Sequence, residues 1–88
     1  PADGKIPDGI KAQTQQAIAN AAAILNEAGL SLDNVVKTTV YLHDMGDFQA
    51  MNEVYAECFS APFPARSAVA VKELPKKVLV EVEVLAVR

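Results

Sequence analysis

Apolar residues recur at helical spacing over residues 10–28, where Ile10, Ala17, Ile18, Ala21, Ile24, Leu25 and Ala28 fall on one face. Abundant alanine adds propensity to the pattern. A helix is expected from about Gly9 to Ala28, with Asp8 as its N-cap and Gly29 as its stop. The stretch PADGKIPDG before it reads as loop. At NVVKTTVYLH (34–43) the period changes to two and the residues become β-branched, which predicts a strand. Val36, Thr38, Val40 and Leu42 point to one side of it; Val35, Lys37, Thr39, Tyr41 and His43 point to the other. DMGD reads as a turn, and Asp47 is placed to cap a second helix, roughly Phe48 to Phe59. Its inner stripe is Phe48, Met51, Val54, Tyr55, Cys58 and Phe59. Pro62 and Pro64 block its continuation.

Two further strands are expected, about Ala65–Lys72 and Val78–Val87, joined by ELPKK. So short a loop predicts an antiparallel hairpin. Strand 34–43, the second helix and strand 65–72 form a β-α-β unit, whose strands should be parallel and whose crossover should be right-handed. The layout is α+β: a mixed sheet with two helices packed on one face, in a single domain spanning residues 1–88.

Alternation then places the scarce charges. Arg66 and Arg88 are the only arginines, and Arg88 is the last residue. Val69 and Val71, with Val80, Val82 and Val84, form apolar sets suited to packing under the helices. Arg66, Ala68 and Ala70, with Leu79, Glu81, Glu83 and Leu85, are expected on the opposite face. A bare sheet face carrying charge is ordinarily solvated, and its charges are worth little. Ala68, Ala70, Leu79, Leu85 and Val87 make this one unusually apolar for solvent, which suits a face covered by another subunit. An arginine beside such an interface can hold a carboxylate with its planar fork. A glutamate nearby can orient a water. Alternation places Glu81 and Glu83 equally well for that task.

Composition narrows the function. Eighty-eight residues suit one small domain, near the size at which a single core only just suffices. The 51% apolar and 22% charged residues are those of a folded globular chain. A net charge of −3, with six scattered lysines, gives no electrostatic footprint for nucleic acid or an anionic membrane. One cysteine, Cys58, cannot form an internal disulfide and reads as a core residue. With no signal-peptide pattern and no apolar run of spanning length, the expected location is cytoplasmic. His43 has no second His or Cys at ligand spacing, so no metal site is expected. Glycine-rich phosphate loops, Gly-x-Ser-x-Gly elbows and Cys-x-x-Cys pairs are absent.

The segments NVVKTTVYLHDMGDFQAMNEVYAECF, FPARSAVAV and LPKKVLVEVEVLAV, in that order, closely resemble the RidA/YjgF family of reactive-intermediate (imine and enamine) deaminases. The resemblance spans nearly the whole chain and is most specific at PARSAV and LP…VEVEVLAV. It implies a chorismate-mutase-like fold assembled as a homotrimer, with a central barrel of sheets and ligand clefts between subunits. It implies hydrolysis of 2-iminobutanoate and 2-iminopropanoate to 2-keto acids and ammonia, without metal or organic cofactor. Arg66 matches the family arginine that binds the substrate carboxylate, and Glu81 the glutamate associated with the hydrolytic water. Asn52 matches a cleft-lining asparagine, together with Met51. Ala68 falls where many members carry cysteine; its backbone can still contact ligand, but a cysteine nucleophile is argued against. Family chains also carry an N-terminal segment whose tyrosine and serine line the cleft. Since the chain begins with Pro1 rather than Met, that segment is expected upstream in the natural protein.

Two other functions fit the same residues. A trimer could bind small keto acids or a protein partner without turnover. Endoribonuclease or translation-inhibitor activity, known for some relatives, is disfavoured by the acidic charge.

Overall fold

A computed structural model describes residues 8–60 and 63–88. The elements follow the order α1 (Ile10–Glu27), β1 (Val35–Leu42), α2 (Phe48–Cys58), β2 (Ala65–Ala70) and β3 (Val80–Ala86), with single 3-10 turns at Leu32–Asn34, Met45–Asp47 and Pro75–Lys77. Residues 1–7 of the expected opening loop, and Pro62, lie outside the described residues. Two helices pack on a three-stranded mixed sheet, the α+β layout that the alternating periods predict.

The helix ends follow local chemistry. At the C-terminus of α1, Gly29 adopts φ 77°, its N–H donates to Asn26 O, and Leu30 N–H donates to Leu25 O at 2.8 Å. This is a complete Schellman motif, with Leu25 and Leu30 in contact with the same core. The N-termini depart from expectation. The N-cap of α1 is Gly9, at φ 87°, not Asp8, and no side chain caps it. Asp47 holds the N-cap position of α2 without a side-chain cap bond, while Asp44 accepts from Gly46 N–H one turn earlier, at 2.8 Å. The DMGD turn thus uses its first aspartate, because the 3-10 turn intervenes before the helix.

The sheet order is β2-β1-β3, with β1 parallel to β2 and antiparallel to β3. The expected parallel β-α-β pairing is present, but the expected β2–β3 hairpin is not. The segment 71–79 instead carries the chain across the end of β1, and both flanking strands close onto that end: Val71 N–H donates to Leu42 O at 2.8 Å and His43 N–H to Leu79 O at 3.0 Å. A loop of this length easily spans two strand spacings of about 4.8 Å each. Its length is compatible with a hairpin or with this split arrangement, so loop length alone does not fix the strand order.

Pairing also decides which side each strand shows the helices. On β1, Thr38, Val40 and Leu42 are fully buried, as expected. A register shift between Val35 and Lys37 then turns Val35 into the core and leaves Val36 44% exposed, the reverse of strict alternation. Val80, Val82 and Val84 of β3 pair with Leu42, Val40 and Thr38 and share the helix side. On β2 the expectation is reversed. Arg66, Ala68 and Ala70 pair with Thr38, Val40 and Leu42, so they lie on the helix side, and Val69, beside Tyr41, is 43% exposed on the other. Alternation tells which residues of β2 share a side; only its pairing with β1 tells which side that is.

The core runs from Ile18 and Leu25 of α1, through Val40 and Leu42, to Met51 and Tyr55 of α2. Thr14, buried on α1, satisfies its hydroxyl by donating to Ile10 O at 2.7 Å. Ile24, expected on the inner face, is 68% exposed at its margin. Lys11 of α1 pairs with Glu53 of α2 at 2.8 Å, an exposed contact worth little to stability.

Candidate functional site

Helix α2 presents Phe48, Asn52 and Tyr55, at positions i, i+4 and i+7, as one stripe. The adjacent strand β2 brings Arg66 to that stripe, because its register partner Thr38 faces the helices. The Arg66 guanidinium lies against two rings, its Cζ 4.8 Å from the centre of Tyr55 and 5.3 Å from that of Phe48. Arg66 Nη1 donates to Asn52 Oδ1. Tyr55, 4% exposed, shares a hydroxyl–hydroxyl hydrogen bond of 2.8 Å with fully buried Thr38. Each polar end in the stripe is therefore matched.

Among the described residues no carboxylate pairs with Arg66. An arginine offers five N–H donors in a rigid fork and no acceptor. With Nη1 engaged by Asn52, the Nε–Nη2 edge keeps two parallel donors for a ligand. Asn52 must turn its oxygen to the guanidinium, which leaves its Nδ2 as a further donor. These groups border an open cleft of about 390 Å³ whose other walls are Ala56, Phe63 and Pro64. One end is cationic and rich in donors, and the opposite wall is apolar. That arrangement suits a small acid with a short side chain.

The other expected site residues are distributed differently. Ala68 follows Arg66 on the same side of β2, half-buried against the core. The Met51 side chain is fully buried in the core, so it fixes α2 rather than opening to the cleft. Glu81 pairs with Tyr41 and faces away from the helices, as does Glu83 beside Thr39. The shared face expected for Arg66 and the glutamates is thus overturned: β2 turns Arg66 to the helix side. Glu81 also borders a larger groove of about 440 Å³ between α1 and β3, with Ala17, Ile24 and Val82 among its walls. That groove is mainly apolar and no cationic side chain lines it.

Phe48, Tyr55, Phe63 and Pro64 join the site without having been singled out for it. The i, i+4, i+7 spacing of Phe48, Asn52 and Tyr55 was visible in the chain, but it reads equally as core packing. Burial first, and then the Glu57 carboxylate, push the half-buried Cys58 thiol up. Among the described residues no group of three His, Cys, Asp or Glu side chains is placed to hold a metal ion, and no helix is long and apolar enough to cross a membrane.

The endoribonuclease L-PSP family model matches residues 1–88. A RutC family protein of Pyrococcus horikoshii is 56% identical over 87 residues, which cover 98% of this chain and 69% of that one. A 2-iminobutanoate/2-iminopropanoate deaminase of Escherichia coli is 44% identical over 91 residues, covering 100% of this chain and 71% of that protein. Among solved structures, Escherichia coli TdcF with bound serine matches with a TM-score of 0.96 at 42% identity, over 100% of this chain and 72% of that one.

Proposed function

Because the chain belongs to the RidA/YjgF (endoribonuclease L-PSP) family, we propose that it hydrolyses 2-imino and enamine acids to 2-keto acids and ammonia. The observation that carries this reading is Arg66: a guanidinium oriented by Asn52, Tyr55 and Phe48, without a carboxylate partner among the described residues, at the donor-rich end of an open cleft. Its Nε–Nη2 edge grips the carboxylate of 2-iminobutanoate or 2-iminopropanoate and sets C2 in a fixed place. A water oxygen then bonds to C2. As it does, the C=N π pair moves onto nitrogen and one water proton passes through the Glu81 carboxylate to that nitrogen, giving a carbinolamine. The proton of the new hydroxyl then takes the same route as the C–N bond breaks, so that ammonia leaves and the keto C=O forms. Such imines hydrolyse in water unaided, so positioning and proton transfer supply all the help required. Neither Arg66 nor Glu81 needs a metal or organic cofactor for this.

Glu81 cannot serve the ligand held by Arg66 of its own chain. The two residues are offset by three positions along the sheet and two strands across it, about 14 Å at the backbone, and they face opposite sides. The reaction therefore calls for a second subunit whose Glu81 completes the cleft, in the homotrimer that the family resemblance implies. The bare sheet face, where Val69 is 43% and Leu85 57% exposed, supports such an assembly. An endoribonuclease role, which the family's description names, gains no support from the charge of −3.

The test is release of 2-oxobutanoate from 2-iminobutanoate formed in place by a threonine dehydratase, with semicarbazide competing for the imine. Acceleration that Arg66→Ala abolishes is expected. A folded protein that leaves the spontaneous rate unchanged, yet binds 2-oxobutanoate, would be a binding module instead.

A further inference from the structure

A long arginine side chain on an outer strand has many rotamers open to it, and a ligand must otherwise supply the cost of ordering it. Here the ordering is built in. Thr38 is the lateral neighbour of Arg66 in the sheet, its hydroxyl holds the Tyr55 hydroxyl at 2.8 Å, and the Tyr55 ring in turn lies under the Arg66 guanidinium. Both hydroxyls are buried, so the ring cannot swing away without stranding two polar groups. Phe48 covers the guanidinium from one turn before Asn52. We propose that Thr38, Tyr55 and Phe48 are positioning residues that hold the carboxylate-binding edge of Arg66 in place before the ligand arrives. The inference rests on the reading of Arg66 as the carboxylate anchor.

The mechanism divides the work. Asn52 fixes the rotation of the guanidinium in its own plane by taking Nη1. The two rings fix that plane through cation–π contact, which strengthens where water is excluded. Thr38 fixes the Tyr55 ring. A phenylalanine at position 55 would keep the platform and lose its anchor; a leucine would lose both. The cleft thus answers to changes at Thr38 and Phe48, which do not line it, as well as at Tyr55, which does, and at the first two it does so only for ligands that carry a carboxylate.

The test compares binding of 2-oxobutanoate with that of the neutral 2-oxobutanamide in the wild type, four positioning variants and Arg66→Ala, with melting temperatures recorded throughout. Thr38→Val/Tyr55→Phe removes both buried hydroxyls and strands neither, so it should melt close to wild type. It should weaken 2-oxobutanoate about threefold, and Phe48→Leu about fivefold. Tyr55→Leu should weaken it about tenfold or more; should that variant fail to fold, Phe48→Leu and the double variant still decide. Tyr55→Phe alone breaks the same hydroxyl pair, so it should bind 2-oxobutanoate as the double variant does and melt below it, because the buried Thr38 hydroxyl is left stranded. The amide should bind wild type, Phe48→Leu and the double variant alike, and in turnover the loss should fall on KM rather than kcat. Folded variants that bind 2-oxobutanoate within twofold of wild type, or a Phe48→Leu or double variant that loses the amide equally, overturn the proposal. So does a wild type whose binding of 2-oxobutanoate is unchanged by Arg66→Ala. Active wild type with normally binding variants removes the positioning role alone; Arg66-dependent binding without imine turnover removes the deaminase reading alone.

Discussion

Arg66 and Glu81 stand on the two outer strands with β1 between them, Arg66 beside Thr38 on the helix side and Glu81 beside Tyr41 on the bare side. Neither can follow the other onto its face without a one-residue register slip, which would turn every buried residue of that strand outward. One chain therefore holds half of the proposed machinery in its cleft and displays the other half on its bare face.

In the proposed mechanism the fork of Arg66, rather than its charge, is the part the ligand reads. Arg66→Lys keeps the charge but offers a point donor in place of two parallel bonds. Loss of one charge-assisted hydrogen bond costs about 1.5–3 kcal/mol, so kcat/KM should fall roughly 10- to 100-fold, mostly through KM. Steady-state kinetics on 2-iminobutanoate check this, and full activity in the lysine variant would remove the clamp.

Much of this arrangement was legible in the chain. The change of period from 3.6 to 2 and back locates both helices and all three strands, and Arg66 stands out because arginine is rare. What alternation could not supply was pairing. The strict pattern of β1 hides the shift at Val35, and ELPKK does not reveal that the chain steps over β1 instead of folding back beside it. The valines of β2 look like core, yet Val69 is exposed and Arg66 lies against the aromatic stripe of α2. That stripe is invisible as a site in sequence because Phe48 and Tyr55 also have the spacing of ordinary core residues.

The turn between β2 and β3 carries local strain. Lys76 and Lys77 adopt φ of 57° and 55°, in the left-handed region. This conformation costs an L-residue about 1–2 kcal/mol, against about 0.5–1 kcal/mol of extra unfolded-state freedom for glycine. Lys77→Gly should raise stability by about 0.5–1 kcal/mol, and Lys77→Val should lower it. Urea unfolding measures both; a destabilised glycine variant would contradict the strain.

Cys58 should react slowly. Burial and the neighbouring Glu57 both disfavour its thiolate, so the folded thiol ionises at higher pH than an ordinary cysteine. Its alkylation by iodoacetamide should lag that of a free thiol peptide near pH 8 and rise at higher pH, and urea should erase the lag. A pH profile matching that of the peptide would rule the shift out.

The central claim, imine hydrolysis at a cleft completed by two subunits, is tested most directly by mixing. Arg66→Ala and Glu81→Gln are purified separately, then unfolded and refolded together at equal amounts, and 2-iminobutanoate hydrolysis is compared with each variant refolded alone. Each variant alone should be inactive. In mixed trimers a site is intact when Arg66 comes from one parent and Glu81 from its neighbour, so random assembly should restore about a quarter of wild-type activity. An inactive mixture, with trimers shown to have exchanged subunits, would contradict the account, as would either variant alone turning over at the wild-type rate.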